Sequence, residues 1–236
     1  MHVPSETLQQ VLDRLAETRA GADRLAQSME RIVGAMVPLF GVTGGSVLLL
    51  DAGSALRHAA TTNSGADRLE LAQEETGEGP CIDALVNEMV VQSRDVLADG
   101  RWRRLAERLG DGHVRAVLGM PVRVGGTAVG SLNVYVDRPY DWDDSDLEAM
   151  RAFNNVVEDG ILAALLANRH EHLVDQLQEA LDRRVFIERA VGLLMGRHQL
   201  DAVSAFDRLR RSARSQRRKV VDVATALLDG KPVPGL

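Results

Sequence analysis

The chain has 236 residues, 45% of them hydrophobic and 3% aromatic, and its formal net charge is −6. This composition supports one large or two modest globular domains and excludes a disordered or fibrous chain. A single cysteine, Cys81, excludes an intramolecular disulfide, and no apolar run approaches the length of a membrane span. The first residues carry neither the basic flank nor the apolar run of a signal peptide, so we expect a cytoplasmic protein.

Apolar residues of the N-terminal segment recur at alternating intervals of three and four residues. They are Leu8, Val11, Leu15, Ala22, Leu25, Met29, Ile32 and Met36. A period of 3.5 predicts one long helix with a coiled-coil seam, and Pro38 is expected to end it. We assign residues 1–27 to a coiled-coil-like helix.

The pattern then changes to short strands and helices. Strands are predicted at 46–51, 56–63, 89–95, 114–124 and 127–137, and helices at 66–75, 81–88 and 101–110. Gly125-Gly126 between the last two strands is a strong hairpin signal. This order predicts an α+β domain, a mostly antiparallel sheet flanked by helices, over residues 28–167.

A further long helical pattern starts near Asp144 and continues to about Met195. Ser145 and Glu148 fit a capping box at its start, and a break is expected near residues 168–172. A second 3.5-residue seam follows, with Arg184 as its odd member, at Leu173, Leu177, Ala180, Ile187, Val191 and Leu194. This helix is predicted to join the first domain to a second one at 168–236.

Two short helices complete the second domain. Asp201 is expected to cap the helix 202–214, and a final helix is expected at 220–228, so the domain is predicted to be an all-α three-helix bundle.

Catalytic and metal-binding motifs are missing from the sequence. There is no phosphate-binding glycine loop, no nucleophile elbow and no cysteine–histidine zinc pattern. We therefore expect no catalytic residue, no metal and no cofactor. Cys81 follows Pro80 at a predicted helix start, where a lowered thiol pKa would suit a redox sensor; a small buried hydrophobe is the other interpretation.

The stretch RSARSQRRK, residues 211–219, holds five basic residues in nine positions and no acid. It lies in the basic part of the chain. Residues 168–236 contain 13 Lys/Arg and 9 Asp/Glu, whereas residues 1–167 contain 15 Lys/Arg and 25 Asp/Glu. Arg208, Arg211, Arg214 and Arg218 lie about 80° to 200° around the helix from Phe206, opposite the apolar face. They could form an ordinary solvated face, or contact nucleic acid through their planar forks.

An ordered pattern runs through this region: Ile187, Ala190 and Gly192-Leu193-Leu194-Met195, then Ala205-Phe206 and Leu209-Arg210, then Val220, Val223 and Ala224. The segment from about Leu173 to Gly230 thereby resembles the ANTAR domain, the RNA-binding antitermination module of bacterial regulators. The sequence departs from the family pattern at Val191, where Lys is usual, and at Arg217, where Asn is frequent.

Residues 28–167 are similar to the GAF domain, a sensor of small molecules or redox state. The similarity rests on TGEGPCIDAL, MVVQSRDV, RWRRLA and VLGMPVRVGGTAVGSLNVY. The cyclic-nucleotide pattern of some GAF members is absent, so no particular ligand is implied.

The two resemblances together imply a dimeric antitermination regulator that binds RNA hairpins in leader transcripts. The RNA surface is predicted to comprise Gly192, Arg197, Arg208, Arg211, Arg214, Arg217, Arg218 and Lys219. The alternative is a dimeric GAF sensor whose basic tail binds a protein partner.

Overall fold

The structure is a computed structural model that describes residues 25–51, 56–110, 112–166 and 172–236, without the side chains of 172–176. Eight helices and five strands lie in these ranges. In chain order they are α1 (Leu25–Phe40), β1 (Gly44–Leu50), β2 (Leu56–Thr61), α2 (Ser64–Thr76), α3 (Pro80–Asn87), β3 (Val91–Ser93), α4 (Arg103–Leu109), β4 (Ala116–Val124), β5 (Thr127–Val136), α5 (Asp144–Leu166), α6 (His172–His198), α7 (Ala202–Ser215) and α8 (Val220–Leu228). The predicted order of elements is confirmed.

The five strands form one antiparallel sheet in the order β2-β1-β5-β4-β3. Its central hairpin turns at Gly125 and Gly126, whose φ angles are 59° and 87°. Positive φ at both positions is what a two-residue type I′ turn requires, so the hairpin predicted from this pair is confirmed.

Side-chain alternation gives the sheet two different faces. On β4, Leu118, Met120 and Val122 join the main core beneath α1 and α5, whereas Val117 points to the opposite face beneath α2 and α4. On that second face β1 and β5 place three buried polar side chains, Ser46, Ser131 and Asn133.

The described half of the N-terminal seam is buried in the domain's own core. Leu25, Met29, Ile32 and Met36 all pack there, while the part of the seam at 8–22 lies outside the described residues. Pro38 does not end α1 as predicted. The helix continues for two residues because the ring of Phe40 packs against Phe153, 5.7 Å between centroids, and holds the last turn.

The start of α5 corrects the predicted capping box. Asp143, not Ser145, is the capping residue: its Oδ1 accepts from the Asp146 backbone N–H at 2.9 Å, and Asp146 Oδ2 accepts from the Asp143 N–H at 3.1 Å. The reciprocal pattern is that of a capping box, formed by two aspartates two residues earlier than expected. The break expected near 168–172 lies almost entirely outside the described residues, which end at 166 and resume at 172.

Helix α6 connects two separate cores. Leu177 belongs to the core beneath the sheet, whereas Ile187 and Leu194 belong to that of the C-terminal bundle. Arg184, the odd member of the seam, is buried and pairs with Glu188 at 2.9 Å. The described part of the second seam therefore also packs within this chain.

The C-terminal half of α6, α7 and α8 form the predicted three-helix bundle. Asp201 caps α7 as expected, since its side chain accepts from the Ser204 N–H at 2.8 Å. Most residues of the ordered sequence pattern are buried in this bundle: Ile187, Ala190, Leu194, Ala205, Phe206, Leu209, Val220, Val223 and Ala224. The pattern therefore specifies mainly the packing of the bundle.

Candidate nucleic-acid interface

The eight residues predicted to contact RNA lie in three places. Gly192 and Arg197 are exposed on α6; Arg208 and Arg211 line a groove beside the C-terminus; Arg214, Arg217, Arg218 and Lys219 line a cavity between the two domains. The structure thus brings the last four together and separates them from the first four.

Arg208 and Arg211 already have partners within the bundle. Arg208 donates to the Gly235 carbonyl at 3.0 Å, and Arg211 forms an ion pair with Asp207 at 2.9 Å. Both contacts lie within the C-terminal bundle, and the Arg211 side chain remains exposed to solvent.

Two arginines of α7 reach across to the N-terminal domain. Arg214 donates to the backbone carbonyls of Glu74 and Glu75 at 2.8 and 3.1 Å, and Arg210 donates to the Glu74 carbonyl at 2.8 Å. These carbonyls lie in the last turn of α2, where helix geometry leaves them without intrahelical partners and the helix dipole is negative. The two guanidinium groups therefore cap α2 from the other domain.

Arg210 is missing from the predicted RNA surface. It lies about 40° around the helix from Phe206, close to the apolar face. The predicted RNA surface was chosen from arginines on the opposite face of α7, so Arg210 was left out. Two features of the sequence indicate that Arg210 faces another part of the protein. It belongs to the family pattern, and it lies near the apolar face of the helix.

The contact between the domains is centred on Asp207, which is 8% exposed. Its carboxylate lies near the guanidinium groups of Arg211, Arg210 at 3.5 Å and Arg104 at 3.6 Å, and Arg104 belongs to α4 of the N-terminal domain. Gly77, with φ of 75°, ends α2 directly against this cluster, and a Cβ there would overlap the Arg210 guanidinium. Glycine at this position therefore permits both the left-handed turn and the approach of α7.

A cavity of about 480 Å³ lies beside this contact. The sheet domain contributes residues of β1, β2, α2 and α3, and the bundle contributes residues of α7 and the start of α8. Its lining comprises Leu48, Asp51, Leu56, Arg57, His58, Glu70, Gln73, Glu74, Ile82, Phe206, Arg210, Ala213, Arg214, Arg217, Arg218, Lys219 and Val220.

A buried polar cluster forms the floor of the cavity around Glu70, which is 4% exposed. Ser46 Oγ donates to its carboxylate at 2.5 Å and Gln73 Nε2 at 2.9 Å. Burial outweighs these hydrogen bonds and raises the pKa of Glu70 to about 7.

Cys81 belongs to the same cluster. Its Sγ accepts from Gln73 Nε2 at 2.8 Å, and burial, reinforced by the Glu70 charge, raises the pKa of the thiol well above its usual value. A thiolate is disfavoured there, so the helix start does not activate this cysteine. The structure thus favours the small buried residue over the redox sensor.

The two departures from the family pattern have structural explanations. Arg217 adopts φ of 54°, in the left-handed region that Gly and Asn tolerate best, which explains why Asn suits this position. Val191 is half-buried and packs against the bundle core, where it adds an apolar contact in place of a lysine charge.

Comparison with known proteins agrees with this geometry. Residues 4–161 match the family model of the GAF domain, and residues 175–228 match that of the ANTAR domain. This chain is a GAF–ANTAR protein. Both are regulatory domains. Within the described ranges no group of His, Cys, Asp and Glu could hold a metal ion.

Solved structures resemble the GAF–ANTAR protein over its GAF part. The GAF domain of a phosphoenolpyruvate-protein phosphotransferase from Coxiella burnetii has a TM-score of 0.55 at 15% identity, covering 68% of this chain and 96% of that one. The free methionine-R-sulfoxide reductase of Neisseria meningitidis has a TM-score of 0.54 at 17% identity, covering 68% and 91%. The corresponding domain from Acinetobacter has a TM-score of 0.53 at 17% identity, covering 70% and 99%. At these identities the likeness concerns the fold alone.

A search of curated proteins found no match. In the part of the chain that the structure describes, no helix is long and apolar enough to cross a membrane.

Proposed function

We propose that this GAF–ANTAR protein is an antitermination regulator whose ANTAR domain binds RNA hairpins in leader transcripts under control of a signal received by the GAF domain. The observation that carries the proposal is the exposed basic surface between α7 and α8. Arg217 and Lys219 are exposed there, and among the described residues neither has an ion-pair partner. Unpaired cations of this kind suit an RNA backbone, and an activity on nascent transcripts belongs in the cytoplasm.

The contact between the domains supplies a means of control. Arg214 is engaged with the end of α2, so this arginine is not available to RNA in the arrangement described. A signal that moves α2 relative to α7 would release it and enlarge the basic surface.

We also infer a homodimer, formed through residues outside the two predicted seams. Leu162 and Leu166 are 44% and 76% exposed and lie one helical turn apart on α5. On α6, Val185 and Phe186 are also exposed. Exposed apolar side chains such as these suit burial against a second copy, and the mass in solution tests this.

The RNA surface is tested by removing Arg217 and Lys219 together. A protein with Arg217→Gln and Lys219→Gln should bind a leader hairpin roughly tenfold more weakly, and the magnitude of the log–log salt slope should fall by about 1.5 to 2. Titration of labelled RNA at several salt concentrations measures both quantities. Arg31→Gln with Arg103→Gln removes two exposed GAF arginines and should leave binding unchanged.

Equal hairpin binding by the two double variants would show that this surface does not contact RNA. Failure of the wild-type protein to retain any RNA from cell extract would favour the alternative, a protein partner for the basic tail.

A further inference from the structure

The cavity between the GAF and ANTAR domains has the size of a small-molecule site. Its volume of about 480 Å³ lies within the range of pockets that enclose small organic ligands. Because each domain supplies part of the lining, an occupant would contact both at once.

Positive charge predominates around the cavity. Six lining residues are cationic: Arg57, Arg210, Arg214, Arg217, Arg218 and Lys219. The three acidic lining residues are Asp51, Glu70 and Glu74. Asp51 and Glu74 both form ion pairs with Arg57, at 3.1 and 2.8 Å, so a GAF arginine shares their negative charge.

The ANTAR cations are also short of acidic partners. Arg210 has Asp207 at 3.5 Å, whereas Arg214 reaches only backbone carbonyls. Arg210 is 16% exposed, and burial together with the nearby Arg214 charge lowers its pKa. A partly buried guanidinium group beside a second, exposed one would be stabilised by an anion that contacts both.

The rest of the lining limits what that anion can be. Ile82, Phe206 and Val220 form an apolar section between the cationic wall and the floor. The floor offers Glu70, an acid, and no cation that would attract a second acidic group of the ligand. The lining therefore favours a molecule with one acidic end and an apolar body, with its acid toward the ANTAR domain.

We propose that this cavity binds a small organic phosphate or carboxylate, whose acidic group contacts Arg210, Arg214 and Arg217 and whose apolar body packs against Ile82 and Phe206. The ligand would join the two domains and hold the arginines away from RNA. Binding itself is independent of the proposed function; only its effect on RNA rests on it.

The proposal is tested with three fluorescent probes that share one apolar body: 1-naphthyl phosphate, 1-naphthoate and the neutral 1-naphthol. At least one anion should bind the full-length protein saturably with a Kd below about 1 mM, and the neutral probe should bind at least about tenfold more weakly. The tighter of the two anions identifies whether a phosphate or a carboxylate is preferred.

Variants locate the binding site. Arg214→Gln and Arg217→Asn should each weaken binding of the preferred anion at least about fivefold. Because Asn tolerates the left-handed backbone of Arg217, and no hydrogen bond or ion pair of this side chain is seen in the described residues, the change to Asn should leave the fold intact. Arg208→Gln, on the other groove of α7, is the matched control and should bind as the wild type does.

Three results would overturn the proposal: no saturable binding of either anion up to about 10 mM, equal binding of 1-naphthol, or unchanged binding by the Arg217→Asn variant. A hairpin titration of the same protein separates the two proposals. Anion binding without RNA binding contradicts only the proposed function, and RNA binding without anion binding contradicts only this inference.

Discussion

At the scale of single residues, Glu70 stands out because its carboxyl group is buried, which its place in the sequence does not indicate. It lies on the side of α2 that faces the sheet, where Ser46 and Asn133 meet it from β1 and β5. A carboxyl group in this position holds its proton more tightly than in the unfolded chain. Stability should therefore depend on its ionisation.

Replacement of Glu70 by Gln should change the pH dependence of stability. The pKa of Glu70 is raised from 4.5 to about 7, so the folded chain retains a proton that the unfolded chain releases in this window. Its contribution to stability thus falls as pH rises through the window. Relative to wild type, the variant should gain up to about 3 kcal/mol between about pH 4 and about pH 8.

Urea denaturation at each pH measures this gain, and Glu107→Gln, at an exposed glutamate of α4, controls for the loss of one charge. A difference between variant and wild type that stays constant over this range would contradict the assignment.

At the scale of elements, α1 and α6 show what a 3.5-residue period does and does not reveal. The period correctly predicts an apolar stripe on each helix. It does not reveal what covers that stripe, and in both helices the described part packs against the same chain: Met29 and Leu177 share one core. Within the described residues, the exposed leucines at the end of α5 are therefore better candidates for a dimer contact than the seam residues.

Introducing charge at the end of α5 tests the dimer. Leu162→Glu with Leu166→Glu should convert a dimer into a monomer of 25.7 kDa, because two carboxylates one turn apart cannot be buried without partners. Sedimentation velocity measures the mass. Leu71→Glu, at a leucine of α2 that is equally exposed, should leave the dimer intact, and a monomeric wild type would refute the inference.

At the scale of the whole molecule, one buried carboxylate links the two domains. Asp207 offsets three guanidinium groups, among them Arg104 of the GAF domain and Arg210 facing the cavity. Without it, three cations would face each other in a partly desolvated contact, which is strongly unfavourable.

Asp207→Asn should therefore separate the domains. The radius of gyration from small-angle X-ray scattering should increase, and amide exchange at the end of α2 should accelerate. The expected cost is about 1–2 kcal/mol in the docking equilibrium, because Arg104 and Arg211 are partly exposed. Asp229→Asn, which removes an exposed partner of Lys231, is the control. Unchanged scattering from the Asp207 variant would show that the other contacts suffice to hold the domains.

Much of the fold could be predicted because its signals are local. Asp201 caps α7, Gly125-Gly126 turns the hairpin, and Gly110 ends α4, and each acts within a few residues of its own position. The capping pair of α5 was misplaced because Asp143 and Ser145 are both good caps, and only the geometry of the entering chain selects between them. The basic stretch that holds most of the candidate RNA residues was visible in the sequence, but the carbonyl and carboxylate groups that some of these arginines contact were not.

The sequence by itself determined the order of elements, the two families and the basic stretch between α7 and α8. Only the tertiary structure decided that Arg210 and Arg214 turn toward the GAF domain, that Asp207 links the domains, and that a cationic cavity lies between them. The reason is separation along the chain. Arg210 and its acceptor on Glu74 are 136 residues apart, and helical periodicity specifies which face of a helix is apolar but not which distant surface will cover it.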